Sequence, residues 1–173
     1  ATAFDNLQTG LTTAGGVLGT PVEVWVARGT YKPTTTTDRN ISFNIPNNVK
    51  VYGGFAGTET QLLSRDFNTN ISILSGEIGD QKITIDNSRH VVFFNNSSNM
   101  TSLNGFTITA GNADFNPQFV VVLPIIFSST TQTRGGGILV ERGGNPLIIN
   151  CNIIKNEAVS GGGILAVDGS SPV

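Results

Sequence analysis

Apolar positions along this chain fall in short runs bounded by Gly, Asn and Pro. Runs of that kind, alternating with polar residues or rich in β-branched side chains, read as β-strands. Strands are expected at 22–27, 41–45, 49–52, 71–74, 83–85 and 91–94, and again around 103–108 and 146–154. The N-terminus differs. Ala3, Phe4, Leu7 and Leu11 follow the i, i+3, i+7 spacing of a helix face, and Gly15-Gly16 would end such a helix.

The pattern also repeats. Gly135-Gly136-Gly137-Ile138-Leu139 recurs as Gly161-Gly162-Gly163-Ile164-Leu165, an offset of 161 − 135 = 26. Gly143 and Pro146 match Gly169 and Pro172 at the same offset, and Leu147 falls opposite Val173. A fixed period of this size marks a stacked or radial array, and a propeller blade needs about 40–45 residues. Leu103-Asn104-Gly105-Phe106-Thr107-Ile108 aligns with Ile148-Ile149-Asn150-Cys151-Asn152-Ile153 at 148 − 103 = 45. The surplus over one period is 45 − 26 = 19 residues, which fits an insertion within 114–134. The expected fold is all-β, a right-handed parallel β-helix with an N-terminal capping helix. Residues 1–14 would form the cap, 15–113 the early coils, 114–134 an inserted loop, and 135–173 repeat coils in a single domain. The pattern stops at Val173 in mid-strand, so the chain is expected to be part of a longer protein. The open sheet edge there should aggregate unless more chain or a partner covers it.

Composition supports stacking. Charged residues are 13% of the 173, with 20 Thr and 18 Asn. In a stacked coil a repeated charge would face its own copy at about 4.8 Å, whereas Thr and Asn hydrogen-bond along the stack. A net charge of −2 leaves no basic excess for nucleic acid. One Cys and one His exclude a disulfide framework and a multi-His zinc site. The longest apolar run, 119–127, contains Pro124 and falls short of the roughly 20 residues of a membrane helix.

At this point Val24-Trp25-Val26-Ala27-Arg28-Gly29-Thr30-Tyr31-Lys32-Pro33 resembles a segment of bacterial extracellular right-handed parallel β-helix repeat proteins. These are the pectin-lyase-like proteins related to polymorphic outer membrane proteins. Val51-Tyr52-Gly53-Gly54-Phe55-Ala56-Gly57-Thr58-Glu59-Thr60, Asn104-Gly105-Phe106-Thr107-Ile108 and the two Gly-Gly-Gly-Ile copies extend the likeness over nearly the whole chain. The family's Phe-x-x-Asn element reads Ile153-Ile154-Lys155-Asn156 here. The resemblance implies a large secreted or surface-anchored protein, extracellular or on the bacterial cell surface, and no chemistry of its own.

Two functions stay open. One is a noncatalytic structural or adhesive module. The other is a carbohydrate-active (lyase- or hydrolase-like) or glycan-binding β-helix. Glycoside hydrolysis needs two carboxylates about 5–10 Å apart, yet the acids are scattered and the only His, His90, sits in Ser88-Arg89-His90-Val91. No catalytic residue, metal ligand or cofactor is expected. The densest polar cluster, Glu77-Ile78-Gly79-Asp80 with Asp86-Asn87-Ser88-Arg89-His90, reads as a Ca²⁺ or sugar site or as a corner bonding its own backbone. Gly135-Gly136-Gly137 lacks the Lys of a phosphate loop and reads as a tight corner. Cys151 reads as a core thiol. Trp25 and Tyr31 read as sugar platforms, with the core as the other reading for Trp25. Residues 115–133 carry no charge. Phe119, Val121, Leu123, Ile125 and Phe127 within them are the candidate partner-binding residues, because an apolar loop must cover something. The expected partners are further coils of the same chain, another surface or secretion-system protein, or a glycan.

Overall fold

Short β-branched runs punctuated by Gly and Asn cannot build long elements. The computed structural model of the protein describes residues 3–17, 21–114 and 133–173. Among them are fourteen short strands, one α-helix and one 3-10 turn. Strands β1 (Val22–Ala27), β4 (Val49–Phe55), β7 (Ser102–Asn104) and β11 (Leu147–Ile149) form one sheet in that order. Strands β2 (Gly29–Tyr31), β5 (Ser72–Ser75), β8 (Phe106–Thr109) and β12 (Asn152–Ile154) form a second. Strands β3 (Phe43–Asn44), β6 (Val92–Asn95), β10 (Ile138–Glu141) and β14 (Ile164–Ala166) form a third. A two-stranded sheet joins β9 (Asn112–Ala113) and β13 (Glu157–Ala158). These pairings are parallel, and the chain visits the three large sheets in the same order on every pass. The protein is therefore mainly β.

Both sequence alignments are strand registers. Ile138 pairs with Ile164 and Leu139 with Leu165, at 164 − 138 = 26. Leu103 pairs with Ile148 and Ile108 with Ile153, at 148 − 103 = 45. The spacing is not constant along the chain. Val22 pairs with Val49 at 49 − 22 = 27, but Lys50 pairs with Ser102 at 102 − 50 = 52. Loops between strands absorb the difference, since register constrains only the paired segments.

Alternation places one face of each strand inward. Val51, Leu74, Phe94, Leu103, Ile108 and Ile138 are buried in one continuous core. Helix α1 (Leu7–Gly15) adds Leu7, Leu11 and Ala14 to it and packs on β1, β3 and β4. Gln8 Nε2 donates to Ser42 O at 2.9 Å.

Two expectations need correction. Ala3 and Phe4 precede the helix, because Asn6 in an extended conformation caps it by accepting from Thr9 N–H at 3.2 Å. Residues 83–85 are not a strand; Ile83 and Ile85 are exposed at 45% and 49%. Their loop is drawn closed at its base by Ser88 N–H donating to Gly76 O at 2.8 Å, so the alternating Ile-Thr-Ile meets no neighbouring strand.

Candidate functional site

The polar cluster at 77–90 is a corner tied to backbone. Asp86 Oδ2 accepts from Asp80 N–H at 2.7 Å, and Asp80 Oδ1 accepts from Lys82 N–H at 3.0 Å. Arg39 reaches in from the preceding pass of the chain, with Nε donating to Asn87 O at 2.7 Å and Nη2 to Asn112 O at 2.6 Å. Burial, and then the neighbouring Arg89, lower the Arg39 guanidinium from its usual value, with Asp114 and Asp86 opposing. A resident cation thus faces Asp86, and among the described residues no three His, Cys, Asp or Glu side chains are grouped to hold a metal. His90 Nδ1 lies 3.0 Å from Gly135 O, and burial pushes its ring below the ordinary histidine value.

Other sequence candidates scatter. Gly135 and Gly161 adopt φ of 65° and 66°, so the two Gly-rich copies are left-handed corners leading into β10 and β14. Trp25 points outward, stacks on Phe55 with centroids 4.7 Å apart and donates Nε1–H to Glu23 Oε2 at 3.0 Å. One indole face is therefore occupied. Tyr31 is half-buried against the core and donates its hydroxyl to Ala27 O at 2.9 Å. Phe119, Val121, Leu123, Ile125 and Phe127 lie outside the described residues.

The most elaborate surface feature was not apparent from the sequence. Between β4 and β5, residues 56–71 leave the sheets and return as a strap. Glu59 closes the strap's first turn by accepting from the backbone N–H groups of Ala56, Gly57 and Thr58 at 2.7, 2.9 and 3.0 Å. Asp66 does the same further on, accepting from Asn68 N–H at 2.9 Å and from Thr69 Oγ1 at 2.7 Å. Arg65 fastens the strap to the first sheet. Its Nη1 donates to Gly53 O at 2.9 Å and Asn104 O at 3.2 Å, and its Nη2 to Asn104 Oδ1 at 2.8 Å. The guanidinium also lies 5.0 Å from the centre of the Tyr52 ring and 5.2 Å from that of Phe67. Gly105 makes the close approach possible, since a Cβ there would stand 2.9 Å from Arg65 Nη1 and 3.1 Å from Phe67 Cβ.

A groove of about 300 Å³ opens beside the strap. Phe67 and Asn68 line one part of it, Gly105, Phe106 and Thr107 another, and Asn150 and Asn152 a third, one pass of the chain further on. Asn150 Nδ2 donates to Asn104 Oδ1 at 3.3 Å, the kind of ladder an Asn-rich stack implies. Cys151 also lines the groove, its Sγ 3.3 Å from Ile149 O, and burial pushes its thiol above the ordinary value. It is a packed thiol rather than an activated nucleophile. No spacing in the sequence links Arg65, Phe67, Asn104 and Asn150; the 103–108/148–153 alignment at 45 residues, which sets Asn150 one position past the partner of Asn104, was the one available signal.

The strap yields two expected outcomes. Arg65→Ala should cost about 1–3 kcal/mol, from lost charged hydrogen bonds and ring contacts, read as a lower urea midpoint. Arg65→Lys should recover only part, because one ammonium cannot reproduce the fork. An unchanged midpoint for Arg65→Ala would remove the strap's anchoring role. Glu59 should titrate below the usual glutamate range, chiefly because of the Ala56 N–H bond. With the folded value depressed, the Glu59 contribution is present above the unfolded value and lost as pH falls through the folded one. A ¹³C carboxyl titration checks this, and an ordinary midpoint contradicts it.

Compared with known proteins, the chain matches no family model, no curated protein and no solved structure.

Proposed function

We propose that the chain is a noncatalytic structural or adhesive module of a large secreted or cell-surface bacterial protein, wound as a right-handed parallel β-helix capped by α1. The observation that carries this reading is the coil copied at 26 residues, with Ile138 beside Ile164 and Gly137 N–H donating to Gly162 O at 2.8 Å. A unit that pairs in register with its own sequence copy is built for extension rather than for a single reaction centre. Parallel crossovers are right-handed in about 98% of cases, which supports the hand. Helix α1 lies against the first strands, as a cap would. At the other end β11, β12 and β14 each have a neighbour strand on one side only among the described residues, and Ile148 N–H already donates to Val173 O at 2.7 Å. Further coils, or another surface or secretion-system protein, would complete those edges.

The second reading, a carbohydrate-active or glycan-binding β-helix, draws on the groove beside the strap. Protein-coated beads test the two together. Adhesion to cells or polysaccharide-coated surfaces, without release of reducing ends or unsaturated sugars from a polysaccharide panel, is the expected result. Product formation would overturn the noncatalytic reading, and absence of adhesion to every surface would overturn the adhesive one.

A further inference from the structure

We propose that the groove beside the 65–67 strap binds a short segment of neutral glycan, an inference that rests on the glycan-binding reading above and names its ligand class. Three properties of the groove point the same way. Its walls come from separate parts of the chain: Gly105 lets the strap close in, so that Phe67 stands on one side and Asn150 and Asn152, one pass further on, on the other. At about 300 Å³ it lies at the small end of ligand sites, which span roughly 300–1,000 Å³. That suits a short stretch of pyranose units rather than a whole domain surface.

The lining chemistry is that of sugar recognition. Phe67 is a partly exposed ring with the Arg65 guanidinium 5.2 Å from its centre, and its exposed part is a surface on which the apolar C–H face of a pyranose can rest. Asn68 and Asn152 are exposed, and neither side-chain amide takes part in a hydrogen bond within the described residues. Each offers a donor and an acceptor to hydroxyl groups, and Thr107 adds a hydroxyl on the floor. A hydroxyl-rich ligand needs such two-way partners.

Charge then selects among glycans. Among the described residues, the groove lining carries no Asp, Glu, Lys or Arg. Arg65 stands beside it, but its Nη1 and Nη2 are engaged by Gly53 O and Asn104. Cys151 is held as a neutral thiol by burial. A uronate carboxylate entering the groove would lose water and meet no ion partner, which costs free energy. Neutral sugars carry no such penalty.

The test is an amide-resolved NMR titration of the 173-residue chain with cellohexaose and with maltohexaose, using an oligogalacturonate hexamer as the charged comparator. The expected result is saturable shifts at residues 68, 105–107 and 150–152 with at least one neutral hexaose, and weaker or absent shifts with the charged one. Asn68→Ala/Asn152→Ala should weaken that binding about tenfold or more, as the loss of two neutral hydrogen bonds implies. Both positions are exposed, so the variant should keep the wild-type spectrum elsewhere. Thr107→Trp, which fills the floor, is expected to abolish the shifts.

The proposal is overturned if neither neutral hexaose shifts these amides at millimolar concentration, if the charged hexamer binds there as well or better, or if the double variant binds unchanged. Neutral-glycan shifts confined to another face would also overturn the groove while leaving the glycan-binding reading in place. Loss of all adhesion in the bead assay would instead remove the reading on which the groove rests.

Discussion

Gly111→Ala is expected to remove most of the folded population. Gly111 lies where the stretch after β8 and the stretch leading into β10, both on the same pass of the chain, meet backbone to backbone. A Cβ there would press on the Gly136 carbonyl oxygen, 2.7 Å from its carbon and 2.9 Å from Val91 Cγ2. Neither neighbour can move independently. Gly111 O accepts from Glu157 N–H at 2.8 Å and Gly111 N–H donates to Asn156 Oδ1 at 2.8 Å, while Gly136 O accepts from Val91 N–H at 3.2 Å. Relief requires pulling one of these two segments off the neighbouring passes to which those bonds hold it. Overpacking against backbone should cost about 3 kcal/mol or more, in the range reserved for severe single substitutions. Gly143 gives the contrast: its φ is 73° but nothing lies within 4 Å of the added Cβ. Gly143→Ala should cost only about 1–2 kcal/mol, the left-handed backbone penalty. Urea denaturation of both variants decides. Equal, small losses would mean that the two segments do not approach this closely.

Phe94→Ala carries the next largest expectation. Phe94 sits on β6, paired in register with Val140 on β10, and is wholly buried at 0% exposure. Truncation leaves a cavity enclosed by strands that cannot collapse without losing register. The expected loss is about 3–5 kcal/mol. Leu63, on the strap and 94% exposed, should change stability by less than about 0.5 kcal/mol when replaced by alanine. Thermal unfolding of both variants separates them, and a Phe94→Ala midpoint close to wild type would place Phe94 outside the core.

How much of this was legible in the sequence differs by level. The registers were, because pairing in a stack is between sequence copies, and the Gly-Gly-Gly-Ile repeat and the 103–108/148–153 alignment each proved to be a pairing. Element limits were less so. Ile83 and Ile85 alternate as a strand would, but a strand needs a neighbour, and the Gly76–Ser88 hydrogen bond turns the segment into a loop. Ala3 and Phe4 fit the helical spacing, yet the Asn6 cap starts the helix later. The groove was the least legible. It depends on a side chain that Gly105 lacks and on an arginine that reaches from one loop to another coil, and neither leaves a periodic trace. Asn156 is similar: it accepts from Gly111 N–H and donates to Ile108 O at 3.0 Å, a bridge between coils that single-sequence spacing cannot distinguish from any other Asn.

The account stands on the winding of the chain, and a crystal structure of the 173-residue protein tests it most directly. The predicted result is a right-handed path through three parallel sheets, with Ile138 beside Ile164, Leu103 beside Ile148, and α1 across the β1 end. Left-handed winding, antiparallel pairing, or a register in which Gly137 and Gly162 are not on adjacent coils would contradict it.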